Sequence, residues 1–122
     1  MIDHFNLPVL YLARSRRFYT QVLAPLGHRF LAEDGAAIGF GNDTWAFGIV
    51  ATSAPIPRLH VAFQAQSRAE VDAFFNAALA AGAAPNGPPG LRPQYDPQYY
   101  AAFALDPDGH NIEAVFRGRR AV

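Results

Sequence analysis

The chain has 122 residues, the length of one ordinary domain, and 51% hydrophobic against 16% charged residues is the balance of a chain that buries a core without disulfides. Ten basic and ten acidic residues cancel to a formal net charge of zero, which removes the electrostatic footprint of a nucleic-acid binder, and no run approaches the roughly 18 apolar residues of a membrane helix. Cysteine is absent, which excludes disulfides, thiol nucleophiles and cysteine-ligated zinc.

The first strand is expected over residues 2–9, short, apolar and followed by a polar break. A helix over about 14–24 follows, with Phe18, Val22 and Leu26 on one stripe and Gly27 just beyond. Short strands at about 28–33, 36–41 and 44–51 are separated by Gly, Asp and Asn. Pro55 and Pro57 then mark a joint between Thr52 and Arg58. A fifth strand covers about 59–65, and a second helix follows it. There Ser67 and Glu70 form a capping box, Val71, Phe74, Phe75, Ala78 and Leu79 keep helical spacing, and Gly82 suits the left-handed cap. Strands at about 83–86, 99–105 and 110–117 complete the chain, the last two joined by the turn Asp106-Pro107-Asp108-Gly109. Between the first two of these, Pro85 to Gln98 reads as a stiff Pro-rich loop of the kind that covers a binding site.

The chain repeats itself. Aligning His4 with His60, an offset of 56 positions, lays His4-Phe5-Asn6-Leu7 over His60-Val61-Ala62-Phe63, Phe18-Tyr19 over Phe74-Phe75 and Leu23-Ala24 over Leu79-Ala80. Each half reads β-α-β-β-β, an α+β organisation with module one at about 1–54 and module two at about 58–117 within a single domain.

Equivalent positions in two related modules can face one another across a pseudo-twofold axis, which singles out His4 and His60. Either imidazole alone could simply be packed and hydrogen-bonded. Glu113 stands in the otherwise apolar strand Asn111-Ile112-Glu113-Ala114-Val115, on one face with Asn111 and Val115. A covered carboxylate is costly unless it is paired or holds a metal. Two imidazoles and one carboxylate make a ligand set for a divalent first-row metal, with positions left open for water or substrate. His110, three residues before Glu113, should face the other side and belong to the turn, and His28 reads as a surface or edge residue. Tyr99 and Tyr100 should point to opposite sides of their strand. Trp45 and Phe47 share a face by parity, and either line an apolar pocket or fill the core. Gly35 to Gly41 carries no phosphate-loop or dinucleotide fingerprint. Arg117, Arg119 and Arg120 read as a solvated tail, and Met1-Ile2-Asp3-His4 lacks the features of a secretion signal, so the expected place is the cytoplasm.

The chain resembles the vicinal oxygen chelate superfamily, the group of glyoxalases, bleomycin-resistance proteins and extradiol dioxygenases. The resemblance is carried by His4-Phe5-Asn6-Leu7-Pro8-Val9, by Arg14-Ser15-Arg16-Arg17-Phe18-Tyr19, by Leu59-His60-Val61-Ala62-Phe63, by Tyr100-Ala101-Ala102-Phe103, and most specifically by Asp106-Pro107-Asp108-Gly109-His110-Asn111-Ile112-Glu113. It implies paired βαβββ modules whose curved mixed sheets form a cleft around a metal. His4, His60 and Glu113 match three ligand positions. The fourth falls near Ala46 or Phe47, where no carboxylate stands, unlike in glyoxalase I-like members, which use one there as ligand and base. The implied chemistry is stabilisation by a divalent ion, Zn, Ni, Mn, Co or Fe, of an oxyanion on a small substrate with adjacent oxygens, in a lyase or isomerase, dioxygenase or transferase reaction. Trp45, Phe47, Arg92, Tyr95, Tyr99 and Tyr100 are the expected substrate contacts. The alternative is a metal-independent module that sequesters a planar ligand among those aromatics. By the same resemblance the chain forms a homodimer, and neither nucleic acid nor membrane is an expected partner.

Overall fold

The computed structural model describes residues 1–118. Arg119 and Arg120 lie outside the described residues. The elements are β1 (Phe5–Val9), α1 (Leu12–Leu23), β2 (Arg29–Asp34), β3 (Ala37–Gly41), β4 (Phe47–Ala51), β5 (His60–Gln64), α2 (Arg68–Ala80), β6 (Ala84–Leu91), β7 (Tyr100–Leu105) and β8 (Asn111–Phe116), with a 3-10 turn over Ala24–Leu26. They form two four-stranded sheets of identical topology, β1-β4-β3-β2 and β5-β8-β7-β6. In each, the helical crossover makes the first strand parallel to the last, and the remaining neighbours are antiparallel. The β-α-β-β-β repeat is therefore two mixed sheets.

Each helix lies on one face of its sheet. In α2, Ser67 Oγ accepts from the Glu70 amide at 3.1 Å and Glu70 Oε1 accepts from the Gln66 amide at 3.0 Å, so the capping box forms. Val71, Phe74, Phe75 and Ala78 are buried, while Leu79, expected on the same stripe, is exposed at its edge. The helix α1 starts two residues earlier than expected and has no side-chain cap. Phe18 and Val22 are buried along it, and Leu26 is buried on the following turn. One hydrophobic core draws on both modules, and Phe47 of β4 meets Phe63 of β5 edge to face at 5.0 Å.

The Pro-rich stretch departs from expectation, because residues up to Leu91 belong to strand β6 and only 92–99 form a loop. The reason is position. As an edge strand β6 pairs with β7 alone, and its register slips between Pro85 and Gly87 and between Gly87 and Gly90, where prolines need donate nothing to a ladder. The loop itself is pinned by Arg92, whose guanidinium donates to Gly90 O at 2.8 Å and Pro88 O at 2.7 Å. Strand β4 begins at Phe47 rather than 44, which leaves Trp45 and Ala46 before it.

The turn between β7 and β8 locks the modules together. Asp106, 5% exposed, accepts from Tyr19 Oη through Oδ2, and from the amides of Asp108 and His110 at 2.9 Å through Oδ1. Arg14 of α1 donates to Asp108 at 2.7 Å. His110, fully buried, accepts at Nδ1 from the Leu59 amide at 2.9 Å and donates from Nε2 to Pro8 O at 2.8 Å, so one imidazole ties the start of β5 to the end of β1. Gly109, at φ 87°, supplies the left-handed residue that closes this turn. Burial foremost, and then the Asp106 carboxylate, push the Tyr19 hydroxyl well above the ordinary tyrosine range. Replacing Tyr19→Phe leaves one buried carboxylate oxygen without its donor, and a loss of about 1–3 kcal/mol is expected in urea unfolding at an unchanged m-value. A loss too small to resolve would mean that this bond does not secure the turn.

Candidate metal and substrate site

Away from the helices each sheet has an open face, and strand parity decides which side chains stand on it. On the second sheet β5 presents His60, Ala62 and Gln64, all exposed, while Val61 and Phe63 turn to the core. Glu113 of β8 pairs with Ala62 on one side and Phe103 of β7 on the other, so it stands on the same open face, together with Asn111 and Val115 as expected.

Glu113 is 1% exposed, and its carboxylate has two partners. His60 Nε2 donates to Oε1 at 2.8 Å, and the Tyr99 hydroxyl donates to Oε2 in a very short bond. Tyr99 is itself buried in a small cluster with Ala101, Val115 and Phe103. Its ring is met by Tyr95 at 5.1 Å and covered by the Arg117 guanidinium at 4.8 Å. Together His60, Gln94, Tyr95, Tyr99, Phe103, Glu113 and Arg117 line a cavity of about 490 Å³. A carboxylate sequestered at the wall of a cavity beside a half-exposed imidazole is a ready pair of donors for a cation, which on binding would displace the proton between them.

His4 stands elsewhere. It lies just before β1, exposed, with Nδ1 2.8 Å from Asp3 Oδ1, and borders a separate groove of about 410 Å³ on the first sheet with Asn6, Asp34, Ala37, Thr44 and Trp45. Within one chain, His60 and Glu113 are brought together and His4 is not. Among the described residues, the only three His, Cys, Asp or Glu side chains with ligand atoms within 4.8 Å of one another are Asp106, Asp108 and His110. Those are the residues of the β7–β8 turn, where both nitrogens of His110 and both oxygens of Asp106 already carry hydrogen bonds.

The expected substrate contacts divide. Tyr99 and Tyr95 line the cavity with Glu113. Tyr100 points to the helix side, where its hydroxyl donates to Asp72 at 2.6 Å and Arg68 covers its ring, so the two adjacent tyrosines do take opposite faces. Arg92 lies over the Phe103 ring at 5.4 Å and is not among the residues that line the cavity. Phe47 is 5% exposed and packs on Tyr19, Phe40 and Phe63 in the core. Trp45 and Phe47 do not share a face as expected, because Trp45 precedes the strand and folds back over the opposite side of the sheet, against Gly39 and Gly48. His28, expected at the surface or an edge, stands half-buried just before the edge strand β2 with an unpartnered Nδ1, and burial lowers its pKa. The place equivalent to Glu113 is also one residue further on than expected. Asn6 pairs with Gly48 as Ala62 pairs with Glu113, so Gly48 stands in the place equivalent to Glu113. Phe103, Gln94 and Arg117 were not foreseen, though the alternation Glu113, Val115, Arg117 was a signal for the last.

Burial foremost, and then the bond to Glu113, push the Tyr99 hydroxyl up to about 12. Its neutral form is favoured in the fold, so the stability it contributes is complete below the ordinary value of 10.0 and is lost as pH rises towards about 12. Urea unfolding between these limits should show a shallower alkaline decline in Tyr99→Phe than in the native protein. Parallel declines would show that the hydroxyl is not held neutral by this site.

No helix among the described residues is long and apolar enough to cross a membrane. The chain is similar over its whole architecture to solved structures. A glyoxalase/bleomycin resistance protein from Albidiferax ferrireducens T118 shares 29% identity over 93% of this chain and 97% of its own, with a TM-score of 0.85. A family enzyme from Burkholderia phytofirmans PsJN shares 18% over 96% and 98%, with a TM-score of 0.74. A fosfomycin resistance protein, FosX, from Listeria monocytogenes, in complex with Mn(II) and 1S,2S-dihydroxypropylphosphonic acid, shares 22% over 94% and 88%, with a TM-score of 0.69. No curated protein matches the chain. The family model of the Glyoxalase/Bleomycin resistance protein/Dioxygenase superfamily matches residues 1–114, and the chain with its two βαβββ modules belongs to that superfamily.

Proposed function

We propose that this protein is a divalent-metal-dependent enzyme that acts on a small molecule with two adjacent oxygens, and that its site is completed by a second copy of the chain. The observation that supports this reading best is the sequestered Glu113 carboxylate, 2.8 Å from His60 at the wall of an accessible cavity. His60 and Glu113 of one protomer supply two ligands, and His4 of the other protomer supplies the third. In a two-fold symmetric pair the groove bearing His4 of each protomer would face the partner's groove bearing the other two ligands. Two imidazoles and a carboxylate suit Zn, Ni, Mn, Co or Fe, and the similar FosX holds Mn(II).

When bound, such an ion supplies Lewis-acid stabilisation of an oxyanion on the substrate. The chain's own residues do the rest. Tyr99 holds Oε2 of Glu113, which would leave Oε1, beside His60, for the ion. Tyr95, Gln94 and Arg117 wall the cavity above it, and the Arg117 guanidinium offers a charge-assisted contact to an anionic group of the substrate. Gly48 brings no base to the place where glyoxalase I-like members have a carboxylate. This disfavours chemistry that needs a proton removed next to a carbonyl from that side, and so favours addition, transfer or oxygenation.

Elemental analysis of protein purified without chelator should find near-stoichiometric metal, lost in His60→Ala and in Glu113→Ala. Absence of metal after reconstitution would overturn the enzyme reading and favour a metal-independent binding protein. Refolding His4→Ala and Glu113→Ala together should partly restore metal uptake, since a mixed pair contains one intact site. Failure of the mixture, with mixed dimers present, would overturn the site shared between two chains.

A further inference from the structure

The two modules have the same strand order but opposite fillings at one spot. In the second sheet Phe103 of β7 faces Glu113 of β8, and the corresponding pair in the first sheet is Gly39 of β3 facing Gly48 of β4. The space that two absent side chains leave there is filled by the indole of Trp45 and, over Gly48, also by Asn6 Oδ1, which stands nearer still. A Cβ at Gly39 would stand 2.2 Å from Trp45 Cδ2 and Cε3, and one at Gly48 would stand 2.7 Å from Nε1 and 2.8 Å from Cζ2. These atoms belong to both rings of the indole, so it lies flat across the two strands. No side chain larger than glycine fits beneath it. Nε1 donates to Asn6 Oδ1 at 3.1 Å, which fixes the rotation of the ring in its plane. Trp45 is half-buried and borders the groove that contains His4, so the ring face turned away from the glycines meets that groove.

We propose that Trp45 is a specificity-determining residue that substitutes an aromatic platform for the fourth ligand side chain, and that the ligand of this site stacks a planar unsaturated group on it. Asp3 and Asp34 border the same groove, so the stacked end of the ligand carries no negative charge. The stacking rests on this chain's indole alone. Only the placement of the ligand's two oxygens rests on the metal site proposed above. An offset-stacked pair discriminates a flat π-system from a saturated ring of the same size by about tenfold in affinity.

Two probes with the same spacing of oxygens separate the cases: catechol, which is flat and unsaturated, and cis-cyclohexane-1,2-diol, which is neither. Trp45 is the only tryptophan of the chain, so its fluorescence reports the platform directly. Both probes are titrated into the full chain, with and without Zn(II), by Trp45 emission and by calorimetry, and Zn(II) affinity is measured separately. Catechol should quench the emission and bind about tenfold more tightly than the saturated diol. Without Zn(II), calorimetry on Trp45→Leu should show that preference erased, and Trp45→Phe should recover most of it, while Zn(II) affinity measured separately is unchanged in both. Equal affinity for the two probes without Zn(II), or a preference that survives in Trp45→Leu without Zn(II), overturns the proposal, whereas with Zn(II) the more acidic catechol oxygens are the better ligands whatever lies beneath the ring. Failure to take up Zn(II) overturns the metal reading instead, and the titration without metal still decides whether the indole selects a flat ligand.

Discussion

Two charged or polar side chains buried between the modules, Asp106 and His110, set the geometry on which the rest of the molecule depends. An imidazole taken out of water must satisfy both nitrogens, and His110 does so with one backbone group from each module. Asp106 spends its oxygens on its own turn and on Tyr19 of the opposite helix. The turn is thereby rigid, and β8, which begins at the next residue after His110, starts in a defined register against β5. Glu113 sits two residues further along that strand and inherits its position from this turn.

With the helices packed together and the turn closing the joint, the open faces of the two sheets become separate grooves. One carries His60, Glu113 and the loop with Tyr95, and the other carries His4 and Trp45. The duplication therefore does not place the two equivalent histidines face to face within a chain. It places each at the same spot of its own groove. The grooves have diverged in what stands beside the histidine: a carboxylate held by tyrosine in one, and an indole seated on paired glycines in the other. A duplicated scaffold with one acidic and one aromatic copy of the same spot suits a site that needs a single ion and an adjoining surface for the organic part of its ligand.

The β6 edge shows a second kind of tolerance. Its prolines would break a central strand, yet here they stand where only one side of the strand is paired, and the register slips accommodate them. The consequence is a short loop of 92–99 held close against Tyr99 and Phe103 by Arg92, in place of a long cover.

Much of this was legible in the order of residues. The 56-residue repeat, the capping box at Ser67, the turn at Asp106 to Gly109 and the alternation around Glu113 determine both βαβββ modules and the open face of the second sheet, because helix and strand periods and turn chemistry are local properties. Parity likewise separated Tyr99 from Tyr100. Only the tertiary structure decided that His4 and Glu113 lie in different grooves, that His110 is a buried tie between the modules as well as a turn residue, that Trp45 leaves the face of Phe47, and that Gly48 holds the place of Glu113. Each of these depends on how the two sheets pack and on a register shift at a strand end. Such distances between remote segments are set by burial and pairing across the whole chain, and no local pattern encodes them.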